Sequence, residues 1–250
     1  MKTILKPFLL MVILSFSTYA KSDTLFTSGD YKFTGDAYIS AVAFADQTVG
    51  IGRITTISQG SNILWSTGDN GEYLNFTFDS FAPVIAPTAP IYNFMAEGGS
   101  VDIYMTSDST VFDTTLGVID AMDSIQSSGG LWLASNAVGN TVGIATPFSY
   151  SANGFLDIVG GFVAPLLNSN SRPTFDPGVF ADLSFGLVGS NNMNPLVNQD
   201  YQYITSVDVQ ATSAVPIEDS YLFMMTGIGM LIIVNRRKPK LDTEETFALA

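Results

Sequence analysis

The chain has 250 residues, 46% hydrophobic and 13% charged, with 23 acids against 10 bases and neither cysteine nor histidine. Those absences exclude thiolate nucleophiles, disulfides, Ser-His-Asp triads and zinc sites built from imidazole or thiolate. A net charge of −13 argues against a nucleic-acid partner, whose phosphates call for clustered Lys and Arg, and the apolar content is too high for a disordered chain.

Taken in chain order, Lys2 and Lys6 precede the apolar run Phe8–Leu14, and Thr18-Tyr19-Ala20 ends on small residues. This is the layout of a secretory signal peptide over 1–20, an N-terminal signal helix cut after Ala20.

Residues 21–211 read as an exported β-rich domain. Leu74, Phe76 and Phe78 alternate with Tyr73, Asn75 and Thr77; Val101, Ile103 and Met105 with Asp102, Tyr104 and Thr106. Ala181, Leu183 and Phe185 alternate with Asp182 and Ser184, and Thr205, Val207 and Val209 with Ser206, Asp208 and Gln210. A period of two predicts strands with one dry and one wet face. Further strands are expected at Tyr38–Phe44, Gly52–Ile57, Ile63–Ser66, Leu131–Ala134, Thr141–Thr146 and Phe155–Val159.

Asn70-Gly71, Gly98-Gly99, Gly129-Gly130, Gly160-Gly161 and Asn191-Asn192 punctuate the runs as turns. Loops are expected at Phe81–Pro90, with its three prolines, at Asn168–Gly178 and at Asn191–Gln199. One helix is expected at Leu116–Ile125, where Leu116, Ile119 and Met122 recur every third residue. The pattern predicts an all-β domain, an antiparallel β-sandwich or jelly-roll-like fold, and no fixed repeat points to a solenoid or propeller.

A linker at 212–220 leads to the apolar run Tyr221–Val234, read as a single C-terminal transmembrane helix over 221–235. At ~1.5 Å rise per residue the run covers about 21 Å, less than the roughly 30 Å hydrocarbon core, so the span is short. Arg236, Arg237 and Lys238 follow it, inside a short tail at 236–250 that the positive-inside rule keeps cytoplasmic. The segment 21–214 holds 18 of the 23 acids and 4 of the 10 bases, so the acidic bias lies in the exported part.

Paired carboxylates are the one catalytic arrangement this composition permits. Asp120 with Asp123 on one helix face, or Asp108 with Asp113 around a turn, are the pairs that spacing suggests. No cofactor is expected. The oxygen-rich stretch of Asp69, Asn70 and Glu72 is the candidate for calcium, with Asp176-Pro177-Gly178 a second such loop. Trp65, Trp132, Tyr92, Tyr201 and Tyr203 are the rings available to stack on a sugar. Asn75-Phe76-Thr77 matches a glycosylation acceptor but sits inside a predicted strand.

The tail resembles a PEP-CTERM sorting signal. Val215, Pro216, Glu218 and Ser220 form the box, a short apolar helix follows, and Arg236-Arg237-Lys238 close it. The box departs from the usual pattern at Ile217 and Asp219, and ten residues, Leu241–Ala250, follow the last lysine. Three segments of the body are similar to flocculation-associated PEP-CTERM proteins: Gly50-Ile51-Gly52-Arg53-Ile54-Thr55, Gly154–Gly161 and Ala181–Phe185. The resemblance implies a non-enzymatic surface or extracellular-matrix protein active in biofilm or flocculation. It also implies an exosortase-like membrane protease as partner and exopolysaccharide as neighbour, and it brings no catalytic residue. The residues alone also fit a membrane-anchored carbohydrate-binding or calcium-dependent adhesive module, or a secreted carboxylate-type glycoside hydrolase.

Overall fold

Alternation of large apolar and small polar residues gives thirteen strands among the described residues, and every ladder between them is antiparallel. The computed structural model describes residues 26, 28–44, 47–83 and 92–213. Ala20, the box residues Val215, Pro216, Glu218 and Ser220, the run 221–235 and Arg236, Arg237 and Lys238 lie outside the described residues, as do 84–91. Among the described residues no helix is long and apolar enough to cross a membrane.

The strands are β1 (Gly29–Phe44), β2 (Gln47–Gln59), β3 (Asn62–Ser66), β4 (Tyr73–Pro83), β5 (Tyr92–Glu97), β6 (Ser100–Thr106) and β7 (Gly130–Ala137). They continue as β8 (Asn140–Ala145), β9 (Ser149–Gly160), the two-residue β10 (Arg172–Pro173) and β11 (Phe180–Ala181), β12 (Leu183–Asn191) and β13 (Tyr203–Ser213). The main sheet runs β3-β2-β1-β13-β12-β9-β7-β6-β4, and β4 pairs back onto β2, so the ladder closes on itself. β9 divides its partners: Tyr150–Asn153 pair with β8 and Leu156–Gly160 with β7. β5 bridges β8 to the end of β4 at Ala82–Pro83. Closure leaves few free edges for other chains to pair with.

Inward side chains fill the ring: Phe33 and Ile39 from β1, Ile54 and Ile57 from β2, Leu74, Phe76 and Phe78 from β4, with Leu156, Leu183 and Val207 from the far side. Two inward positions on β2 are glycines. A Cβ at Gly52 would lie 2.0 Å from the Phe76 ring, and one at Gly50 would lie 2.4 Å from the Phe78 ring. The rings of β4 therefore lie over bare backbone on β2, their register partner strand.

Outside the ring, α1 (Val118–Ser128) covers part of β2, β4 and β6. Its buried stripe is Val118, Ala121, Met122 and Ile125, packed with Val49, Ile51 and Tyr201 in a second core. Each large apolar side chain so buried contributes about 1.5–3 kcal/mol. The second helix, α2 (Ala164–Leu167), is one turn long.

Several expectations are corrected. The helix starts and ends later than Leu116–Ile125, and its seam is not the one predicted: Ile119 is 42% exposed, and Leu116 packs from the loop before the helix. The small Ala121, fully buried, is what allows close approach to the sheet. Phe81 does not belong to a surface loop. It ends the inward row of β4, stacked edge-on to Phe78 and Phe185, with its ring over Gly99. The expected wet face of β4 is dry at Asn75 and Thr77, and Asp182 is buried beside Leu183. In each case a second layer covers the strand.

Candidate functional site

The calcium candidate lies in the turn joining β3 to β4. Gly68, Asn70 and Gly71 all have positive φ, and Asp69 accepts the Ser66 N–H at 2.8 Å through Oδ2. Asp69, Asn70 and Glu72 thus form a tight connection closed by Asp69 itself. Among the described residues no three carboxylates gather as a metal-ion cage would require. Asp176 lies in the β10–β11 turn near Gly139.

Of the suggested carboxylate pairs, Asp108 and Asp113 each serve their own turn. Asp108 accepts the N–H and hydroxyl of Thr110, and Asp113 does the same for Thr115. Those bonds hold both carboxyls below the ordinary range. Asp120 and Asp123 are on the exposed side of α1. Of the rings considered for sugar stacking, Trp65, Trp132 and Tyr201 are buried, and Tyr203 is half-buried with its hydroxyl on the Thr146 carbonyl. Tyr92 lies on β5. Asn75 is fully buried, which removes it as a glycosylation acceptor.

The three segments that carry the body's resemblance turn out to be packing points. Gly50 and Gly52 receive the Phe78 and Phe76 rings, and Gly154 receives the ring of Phe185, its register partner. Gly161, at φ +100, lets the chain cross 2.6 Å from the Leu133 backbone at the point a Cβ would occupy. Arg53 stands over the Phe112 ring at 4.5 Å and the Tyr73 ring at 5.6 Å. Its Nε donates to Asn75 Oδ1 and its Nη2 to the Ser109 carbonyl, both at 3.0 Å. Burial lowers the affinity of its guanidinium for its proton, a tendency opposed by Tyr73 and Tyr38. Asp182 accepts three backbone N–H groups, from Ile158, Ser169 and Asn170.

A groove of about 910 Å³ opens on the outer face of β1, β13, β12 and β9. Register builds it row by row. Lys32, Gln210, Ser184 and Phe155 stand side by side across the four strands. The next row is Thr34, Asp208, Gly186 and Asn153, and Val142 of β8 extends it. Lys32 reaches diagonally to Asp208, Nζ to Oδ2 at 2.6 Å. The Phe155 ring meets Phe175 of the β10–β11 connection edge-to-face at 4.8 Å, and Phe175 is 56% exposed. Arg172 nearby is held by Asp30 at 3.1 Å and reaches Gln210 at 3.5 Å. The arrangement offers hydroxyls, amides and one ion pair beside an apolar ring, and it has no converging nucleophile and base.

Inside the ring a cavity of about 60 Å³ is lined almost wholly by carbon, including Phe76, Phe78, Phe81 and Phe185. Tyr150 also lines it, and burial together with the neighbouring Tyr203 pushes its hydroxyl well above the ordinary tyrosine range, so it stays neutral.

Sequence reasoning missed the groove because its rows come from four strands whose adjacency only the ladder order supplies. Alternation at 206–210 and the Phe155 and Ser184 segments were its visible parts. No family model, no curated protein and no solved structure matches the chain.

Proposed function

We propose that the chain is an exported, non-enzymatic surface or extracellular-matrix protein, sorted through its C-terminal tail by an exosortase-like membrane protease and acting in biofilm or flocculation. The observation that carries the reading is the order of segments. A positively led apolar leader comes first, then an acidic β-rich body. The box at Val215–Ser220, the apolar run Tyr221–Val234 and the cations Arg236, Arg237 and Lys238 follow it. The closed ladder is read as a sandwich or jelly-roll-like shell. Gly29 and Ser213 are register partners, so β1 begins where β13 ends. That suits a body tethered at one end.

A membrane-anchored carbohydrate-binding module is the second reading, favoured by the polar groove. The mass of the mature protein separates the two. A product starting at Lys21 and ending before Tyr221 supports sorting, whereas a C-terminus at Ala250 in washed membranes means permanent anchoring. A reporter fused behind Ala250 that is active in the periplasm would overturn the topology on which both readings stand.

A further inference from the structure

We propose that the groove across β1, β13, β12 and β9 binds an extended, uncharged polysaccharide chain. The inference deepens the surface-protein reading by giving it a ligand class, and rests on it only for where such a ligand is met.

The first argument is the floor. Neighbouring strands lie about 4.8 Å apart, so a chain laid across them meets Thr34 on β1, Asp208 on β13 and Asn153 on β9, with Lys32, Gln210 and Ser184 in the adjacent row. The Oδ1 of Asp208 is shielded from solvent and accepts no hydrogen bond, while its Oδ2 is taken by Lys32. The pair as a whole is open, with the Lys32 side chain 49% and the Asp208 side chain 41% exposed, so it presents both a donor and an acceptor to a ligand hydroxyl in the groove. Gly186 stands between Asp208 and Asn153 and leaves the centre of the floor without a side chain.

The second argument is the wall. Phe175 is more than half exposed and is fixed edge-on by Phe155. An apolar ring beside a polar floor matches a sugar, which carries a C–H face and a hydroxyl rim. The third is charge. Lys32 is cancelled by Asp208 and Arg172 by Asp30, on a body with a large excess of acid. A polyanion would meet repulsion here, so an uncharged chain is the ligand this groove fits.

Affinity electrophoresis of the full chain in mild detergent tests it, with dextran, laminarin, galactomannan and hydroxyethyl cellulose as neutral probes and polygalacturonate as the polyanion. At least one neutral polymer should retard the protein, and polygalacturonate should not. Gly186→Leu, which fills the floor, and Phe175→Ala, which removes the exposed wall, should each weaken retardation at least tenfold. Phe148→Ala, an exposed ring on the β8–β9 turn, should leave it unchanged. If Gly186→Leu misfolds, Phe175→Ala alone decides. Indifference to all four neutral polymers, retardation by polygalacturonate alone, or unaltered retardation of Phe175→Ala would overturn the proposal. A tail found uncut would not touch it, and failure to bind glycan would leave tail processing standing.

Discussion

Replacing Asp182 by Ala removes one carboxylate and three hydrogen bonds. Oδ2 accepts the Ile158 N–H at 2.8 Å, and Oδ1 accepts those of Ser169 and Asn170 at 2.6 Å each. The Ile158 amide is buried within the sheet, whereas the other two belong to the loop after α2 and are only partly covered. An orphaned buried donor costs about 1–3 kcal/mol, while a donor that can turn to water loses only the net value of its bond, about 1 kcal/mol. The expected loss is therefore about 4 kcal/mol: roughly 2 for Ile158 and roughly 1 for each loop amide. That is a large part of the 5–15 kcal/mol that holds typical domains folded. Asp182→Asn keeps one acceptor oxygen and turns an NH₂ toward a donor, so it should fall near the middle, at about 2 kcal/mol.

Urea denaturation of the full chain at neutral pH, followed by tryptophan emission, measures both. Trp65 and Trp132 are buried in the main core and report its opening. With a slope of about 2 kcal/mol per molar urea, 4 kcal/mol moves the midpoint by about 2 M. An Asp182→Ala chain within about 1 kcal/mol of the parent, with unchanged slope, would refute the reasoning. Water would then replace the carboxylate at no cost, and the loop would be anchored elsewhere.

Gly52→Ala sets a Cβ 2.0 Å from the Phe76 ring and 2.6 Å from the Asp36 carbonyl, and should cost about 1–3 kcal/mol in the same assay. Adding Phe76→Leu should recover part of that loss, and strict additivity of the two changes would count against the ring-on-glycine account. For Asp157 the sign follows from its environment: burial, then the charge of Asp182, raises its pKa in the folded state. Its protonation therefore contributes stability below the unfolded value of about 3.9, and that contribution is lost as pH rises through the raised folded value. Asp157→Asn should raise the urea midpoint at pH 7 and leave it unchanged near pH 3; an equal gain at both would show that charge is not the cause.

How much of this was legible in the sequence depends on which contacts decide each feature. β4, β6, β12 and β13 were readable because their alternation is local and strict. The first half of β1 was not, since Gly29, Asp30, Lys32 and Asp36 have the composition of a loop. They are strand residues because Tyr31 and Phe33 between them, and Ala37 after them, are buried, while Lys32 and Thr34 line the outer groove. β5 was hidden for a different reason, being held almost wholly by partners on β8 and the end of β4. The dry Asn75 and Asp182 looked wet because alternation tells which face a residue takes and not whether something later in the chain covers that face.

The glycines of the resembling segments make the same point from the other side. Gly52 and Gly154 each sit inside a strand, and the reason is a phenyl ring on a neighbouring strand, Phe76 for one and Phe185 for the other. Similarity at those positions therefore tracks packing. The same strands nevertheless turn their next residues outward: Phe155 follows Gly154, Ser184 precedes Phe185, and both line the groove. Alternation thus gives one short segment two tasks on opposite faces of a single sheet. Changes to the inward set should then lower the urea midpoint, and changes to the outward set should alter glycan retardation with the midpoint unmoved. A Ser184 or Phe175 substitution that unfolded the domain as readily as Gly52→Ala would mean that the outer face is part of the scaffold rather than a site.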